Sequence, residues 1–177
     1  MSKQELQAAA LEHGGVSYEE SLVAAKLEPS IYERIGKEDG FLKLSQLFYD
    51  RVYDDTENQW FINIFSSSTK SSAIDNQYRF LVQTFGGPAL YREKKGKYTR
   101  LAGRHANFSI GHRSASHWVE HMKYAMENHD ILGKDDEAKK HLMNYFTYTS
   151  HYIVAAREYM REDQLSGGTQ LDPGQNW

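Results

Sequence analysis

The sequence predicts an all-α fold. Apolar residues recur at steps of three and four over three long stretches, at about 41–52, 71–85 and 136–160, which is the period of an amphipathic helix. No segment alternates with the two-residue period of a strand, and no internal repeat is present. Only 3 prolines interrupt the 177 residues, which favours long helices. A chain of this length is expected to form one domain.

The N-terminal quarter predicts an extension made of short helices. A serine precedes a glutamate by three residues at 2–5, 17–20 and 30–33, which is the pattern of a capping box. Gly14-Gly15 and Pro29 end the first two pieces. Because this part of the chain lacks a strong apolar face, we expect it to pack loosely or to be partly mobile.

The strongest helical pattern begins just before Phe41. Phe41, Leu44, Phe48 and Val52 lie on one face of this helix, and Asp54-Asp55 closes it. A short aromatic piece, 60–65, follows it. We expect this face to form part of the core.

A second helix is predicted from about Ser71 to Phe85. Gly86-Gly87-Pro88 stops it, with glycine at the C-terminal cap and proline after it. Residues 88–104 are irregular and basic, and a loop of that length inside a compact domain is usually functional. Its cations are Arg92, Lys94, Lys95, Lys97, Arg100 and Arg104.

Two further helices complete the domain. Ser114 or Ser116 is expected to cap a helix that carries Trp118. The last helix is expected over about 136–160, and the Gly- and Pro-containing end of the chain is expected to be flexible. The predicted organisation is an extension over 1–30, a domain over 31–161 and a flexible tail over 162–177.

Composition excludes several classes of function. The chain has no cysteine, so disulfides, zinc sites with thiolate ligands and iron–sulfur clusters are ruled out. A net charge of −3 and a pI of about 6.2 give no bulk attraction to nucleic acid. No stretch has the length and apolar character of a signal peptide or a membrane span, so a cytoplasmic protein is the expectation.

Among the eight histidines, His117 and His121 give the most obvious metal motif. With Glu120 they match the H-x-x-E-H pattern of inverted zinc proteases, and their spacing places both on one helix face. A third, carboxylate ligand is then expected from a downstream glutamate: Glu127, Glu137, Glu158 or Glu162. The alternative is that both histidines face solvent while Trp118 and Met122 face the core.

His105 suggests a different metal site. A neutral imidazole can bind a metal, and an indole such as that of Trp118, 13 residues later, can donate a hydrogen bond to a small acceptor on the far side. A haem needs an axial imidazole, an apolar slot and cations near its carboxylates. The slot residues would be Phe65, Phe80, Leu81, Leu101, Phe108 and Met122, and the carboxylate partners Arg104 with Tyr91, Lys97 or Arg100. The alternative is a solvated basic loop.

From Ile31 to about Ala156 the chain resembles the truncated haemoglobins of group II, and most closely their plant-like branch. The matching pieces are 31–36, 48–52, 85–91, 103–108 and 118–122, in the family's order. The resemblance implies a two-over-two helical sandwich around haem b. Lys97-Tyr98 departs from the family, which commonly has His-Pro there, and the segment between Tyr49 and Phe65 is longer than in bacterial members.

The resemblance also implies roles for individual residues. His105 corresponds to the proximal iron ligand, and Trp118 and Tyr49 to hydrogen-bond donors on the distal face. Ala73 and Gln77 correspond to two distal positions four residues apart, which therefore face the same way. Phe65 corresponds to the aromatic that stacks on the haem.

These residues predict a haem protein that binds dioxygen, nitric oxide, carbon monoxide or sulfide, with a pentacoordinate or weakly hexacoordinate iron. Three donors, Tyr49, Gln77 and Trp118, would surround a ligand with partial negative charge and favour slow oxygen release. Slow release suits sensing, scavenging or detoxification of nitric oxide or peroxide. The second hypothesis is a redox enzyme, a nitric oxide dioxygenase or weak peroxidase with a separate reductase. A third is a haem-free helical interaction module. The family resemblance also suggests a homodimer.

Overall fold

The prediction of an all-α fold is confirmed. A computed structural model describes residues 2–96, 101–105 and 108–166, without the side chains of Leu101 and 163–166, and these residues contain helices and turns but no strand. The helices are α1 Lys3–Gly14, α2 Tyr18–Leu22, α3 Ile31–Ile35, α4 Lys37–Asp54, α5 Gln59–Ile62, α6 Lys70–Thr84, α7 Leu90–Lys95, α8 Leu101–Arg104, α9 His112–Glu127 and α10 Asp136–Ser166.

Four long helices form the core as two packed pairs. α4 packs against α6, α9 packs against α10, and α4 also contacts α9. The apolar face predicted for α4 is buried as expected, because Phe41, Leu44, Phe48 and Val52 are all 0% exposed. The Phe48 ring lies 4.8 Å from the ring of Trp118 on α9, which joins the two pairs.

A partly exposed ion-pair cluster joins the start of the domain to the start of α10. The Arg34 guanidinium on α3 donates to both carboxylate oxygens of Asp135 at 2.8 Å and to Glu137 at 2.7 Å. Asp135 Oδ1 also accepts from the Ala138 backbone N–H at 3.0 Å, which caps the helix. These hydrogen bonds fix the position of α10, which lines the cavity described below.

The expectation of a loosely packed N-terminal extension is wrong. Leu6 and Ala10 on α1 are 5% and 0% exposed and belong to a second apolar cluster with Tyr148 and Tyr152 of α10. A small residue such as Ala10 lets two helices approach closely, so a narrow apolar strip is enough to hold α1 in place.

Two predicted helix ends also need correction. α9 begins at His112, before the predicted caps at Ser114 or Ser116, because the Gly111 N–H bonds to Ser114 Oγ at 2.9 Å and starts the helix earlier. α10 continues to Ser166, past the predicted start of the tail at 162. The remaining tail, 167–177, lies outside the described residues. None of the described helices combines the length and apolar content needed to cross a membrane.

Candidate functional site

A cavity of about 610 Å³ lies between α4, α6, α8, α9 and α10. This volume is in the range typical of sites for small molecules and cofactors. The predicted site residues that line it are Tyr49, Phe65, Ala73, Gln77, Phe80, Leu81, Tyr91, Arg104, His105, Phe108 and Trp118. Side chains from six separate parts of the chain therefore meet at one place.

His105 reaches the cavity from the turn that ends α8. Its backbone N–H bonds to Ala102 O at 3.2 Å, and its carbonyl accepts from the Phe108 N–H at 3.1 Å. The Phe108 ring lies 5.6 Å from the imidazole. All eight histidines lie in the described part of the chain, and of these only His105 lines the cavity. It is therefore the one imidazole placed to bind a metal there.

Three polar side chains reach the same cavity from three other helices: Tyr49 from α4, Gln77 from α6 and Trp118 from α9. Tyr49 is 8% exposed, and burial raises the pKa of its hydroxyl, so it stays a neutral donor. Gln77 Oε1 is buried and has no hydrogen-bond partner among the described residues. A buried polar atom in this state is costly unless a bound group satisfies it.

The walls around these groups are aromatic. The Phe65 ring packs edge-on against Tyr49 at 5.9 Å, and the Phe80 ring packs edge-on against Tyr91 at 5.6 Å. The Trp118 ring packs against Phe146 at 5.4 Å. Packing on two sides holds the tyrosine and the indole in fixed orientations, so their donors are preorganised for a bound ligand.

Cations lie at the edge of the cavity. The Arg104 guanidinium sits 5.2 Å from the Tyr91 ring centroid and donates to Lys95 O at 3.3 Å, and Lys95 itself lines the cavity. A group with an apolar body and terminal carboxylates matches this distribution. The other predicted carboxylate partners, Lys97 and Arg100, lie outside the described residues with Tyr98, and so does the Leu101 side chain.

The structure contradicts one predicted contact and adds several. Met122 is 0% exposed in the helical core and does not line the cavity, because one turn beyond Trp118 the helix packs against its neighbours instead. α10 contributes a wall that the sequence did not reveal, since its apolar stripe predicted only core. That wall consists of Tyr145, Phe146, Thr149, Ser150, Ile153 and Val154.

Tyr145 is one of three polar residues in this wall, with Thr149 and Ser150. Burial raises the pKa of its hydroxyl to about 12, and it hydrogen-bonds with Thr149 and Thr84. These bonds satisfy the hydroxyl within the protein. Tyr145 therefore shapes the cavity, whereas Gln77 keeps an unsatisfied oxygen.

Comparison with known proteins agrees with this geometry. The profile of the bacterial-like globin family matches residues 30–152. The chain is 41% identical over 137 residues to two-on-two hemoglobin-3 of Arabidopsis thaliana, covering 77% of this chain and 75% of that one. It is 41% identical over 136 residues to group 2 truncated hemoglobin 3-1 of Lotus japonicus, covering 77% and 78%. The chain belongs to the group 2 truncated haemoglobins.

Solved structures give the same result. The truncated oxygen-avid haemoglobin of Bacillus subtilis superposes with a TM-score of 0.60 at 32% identity, covering 71% of this chain and 98% of that one. The two packed helix pairs are therefore the globin fold. α1 and α2 precede the stretch that the family profile matches.

Membership of this family implies a haem cofactor and a small gaseous ligand, and the cavity of this truncated haemoglobin fits both. It offers one imidazole, His105, between aromatic walls, with Arg104 and Lys95 at its edge. Gln77 adds a buried hydrogen-bond acceptor, without a partner among the described residues, to the lining of this cavity.

His117 and His121 are not exposed, contrary to the alternative considered from the sequence. Their side chains are 18% and 6% exposed, and both bond to Asp55. Burial opposes ionisation of Asp55, but hydrogen bonds from Asn58, His117 and His121 lower its pKa to about 2. The downstream glutamates proposed as zinc ligands are not members of this cluster.

Proposed function

We propose that the chain binds haem b through His105 and holds dioxygen with slow release, for sensing, scavenging or detoxification. The observation that carries this proposal is the convergence of Tyr49, Gln77 and Trp118 on the cavity that contains His105. When bound, haem supplies an iron atom that takes a small diatomic ligand. The oxygen-avid character named for the Bacillus subtilis relative supports this choice of ligand.

Each group of residues has a separate task in this proposal. The His105 imidazole holds the cofactor, and Arg104 and Lys95 pair with its carboxylates. Phe65 and Phe80 exclude water from the apolar part of the cavity. Tyr49 O–H and Trp118 N–H donate to the partial negative charge that a ligand such as dioxygen carries, which slows its departure. Nitric oxide, carbon monoxide and sulfide are further candidate ligands of the same site, and equilibrium binding measurements would rank their affinities.

Trp118→Phe is expected to speed oxygen release about fivefold to tenfold, because one hydrogen bond is worth roughly 1 kcal/mol net. The phenyl ring keeps the packing against Phe48 and Phe146 but cannot donate. Stopped-flow displacement of oxygen by carbon monoxide measures the rate. Trp60→Phe is the matched control, since Trp60 lies outside the cavity lining and donates to Asn58 Oδ1 at 3.2 Å. Unchanged release in Trp118→Phe would remove this residue from the ligand site.

A redox role is the second candidate, because the same tyrosine and indole donors can stabilise an oxidised nitrogen ligand or bound peroxide. This role requires electrons from a separate reductase. Oxygenated protein mixed with nitric oxide and a reductant should then turn over repeatedly, with nitrate as the measured product. If nitrate formation stops after one equivalent per haem, the chain is a ligand-binding protein rather than a dioxygenase.

A further inference from the structure

Three metal-ligating side chains meet at a second place, outside the haem cavity. They are Asp55, directly after α4, and His117 and His121 on α9, and their ligand atoms all lie within 4.8 Å of one another. Nε2 of His117 lies 2.7 Å and Nε2 of His121 2.9 Å from the same oxygen, Asp55 Oδ2. None of the three residues lines the cavity that holds His105.

The fold creates this cluster from distant parts of the chain. The two histidines are four residues apart, so their imidazoles lie on one face of α9. Asp55 is separated from them by 62 and 66 residues and arrives because α4 ends beside α9, where the Asp55 N–H bonds to Val52 O at 3.3 Å. The H-x-x-E-H pattern therefore contributes two ligands, and the third comes from upstream rather than from a downstream glutamate.

Outer contacts fix the orientation of the ligands. Asn58 Nδ2 donates to Asp55 Oδ1 at 2.8 Å, which turns Oδ2 toward the imidazoles. Nδ1 of His117 lies 3.5 Å from a carboxylate oxygen of Glu120. Metal-binding imidazoles commonly have such a carboxylate behind them, because it fixes the ring and raises its basicity.

Aromatic rings form the wall of this site. The Phe61 ring lies 4.7 Å from His117 and 5.4 Å from His121, and the Trp60 ring lies 5.4 Å from His117. The side chains of Asp55 and His117 are nevertheless 12% and 18% exposed, so an ion and a water molecule can enter from one side. The site is thus preorganised, partly dry and accessible.

We propose that Asp55, His117 and His121 bind a Zn²⁺ ion, with water in the fourth position. Two imidazoles and one carboxylate are a ligand set that suits tetrahedral zinc with an open position. The ion would lie between the two Nε2 atoms and Oδ2, and each neutral imidazole would carry its proton on Nδ1. Because Asp55 ends α4 and the histidines belong to α9, the bound ion would tie these helices together and stabilise the folded chain.

The test uses the haem-loaded, full-length protein and zinc chloride as the probe. Equilibrium dialysis followed by elemental analysis should find one zinc per haem in the wild type. Asp55→Asn, His117→Gln and His121→Gln should each lose that equivalent. His112→Gln is the matched control, since this histidine lies outside the cluster, and it should retain zinc. Zinc should also raise the unfolding temperature of the wild type and the control but not of the three variants.

Two outcomes would overturn the proposal. One is a wild type that retains no zinc after dialysis. The other is a set of three variants that bind as much zinc as the wild type while keeping its circular dichroism and Soret spectra. Should a variant fail to fold, zinc-edge X-ray absorption on the wild type and on His112→Gln decides the matter. Two imidazoles in the coordination shell of both proteins support the site, whereas one or none excludes it.

Discussion

His105→Gly is expected to weaken haem binding by more than about 100-fold. Removing a residue that only hydrogen-bonds to a metal ligand typically lowers metal affinity about 10–100-fold, and His105 is the ligand itself. The structure describes all eight histidines, and only His105 lines the cavity. No other imidazole is therefore placed to bind the haem iron in its absence. The measurement is the rate at which Soret absorbance is lost when haem transfers from the reconstituted protein to an excess of an acceptor protein.

Free imidazole added to His105→Gly should restore much of the haem binding, because the small variant leaves space for the missing ring. His112→Gly is a suitable control, since that residue lies outside the cavity lining. Wild-type haem retention by His105→Gly without imidazole would show that another residue ligates the cofactor.

Protonation of His151 is expected to lower the free energy of unfolding by on the order of 3 kcal/mol as the pH falls from about 6.5 to 4. This residue is 3% exposed, and its Nδ1 lies 2.8 Å from Nδ1 of His112, whose ring stacks on His13 at 3.5 Å. Burial, followed by the nearby His112 and His13, lowers the pKa of His151 to about 4. In the unfolded chain the pKa of histidine is near 6.5.

The direction in which acid changes the free energy of unfolding follows from these two pKa values. Between pH 4 and 6.5 the unfolded chain binds more protons than the folded chain, so acid favours unfolding. The stability that the folded state has with neutral His151 is therefore fully present above about pH 6.5 and is lost as the pH falls toward 4. Burial lowers the pKa of His112, while two carboxylates, Glu158 at 3.9 Å from its Nε2 and Glu12, favour its charged form.

Urea unfolding of the wild type and of His151→Gln at pH 7 and pH 4.5 tests this expectation. The variant should show a smaller loss of unfolding free energy than the wild type, because its side chain does not titrate. His151 does not line the cavity, so acid effects at the cavity are common to both proteins and cancel in the comparison. Parallel losses in the two proteins would assign the acid sensitivity elsewhere.

These three histidines also show how the N-terminal extension is attached to the rest of the protein. His13 belongs to α1, His112 to α9 and His151 to α10, so the cluster lies where the extension meets the globin helices. From the sequence, the extension was expected to pack loosely, because its apolar face is weak. Two buried residues and a stacked histidine hold it instead.

The sequence predicted the long helices, and it singled out two residues that line the cavity, His105 and Trp118. The prediction of an irregular loop over 88–104 was wrong, because α7 and α8 lie within it. The apolar periodicity of α4, α6 and α10 is a local property, because residues three and four apart share a helix face whatever the helix packs against. The resemblance to the truncated haemoglobins depended on five matching pieces, among them the Gly-Gly-Pro stop after α6, the segment 103–108 that contains His105, and the segment that begins with Trp118. Periodicity also identified the buried face of α4 correctly.

What each buried face contacts depends on how the helices pack against one another. A helical stripe predicts that Met122 and Tyr145 are buried, but the position of the neighbouring helices places Met122 in the core and Tyr145 at the cavity. In the same way, His117 and His121 are one turn apart in any helix, whereas their contact with Asp55 depends on where α4 ends. Contacts across 62 or 66 residues arise from the packing of whole helices, and short-range patterns in a single sequence carry no information about that packing.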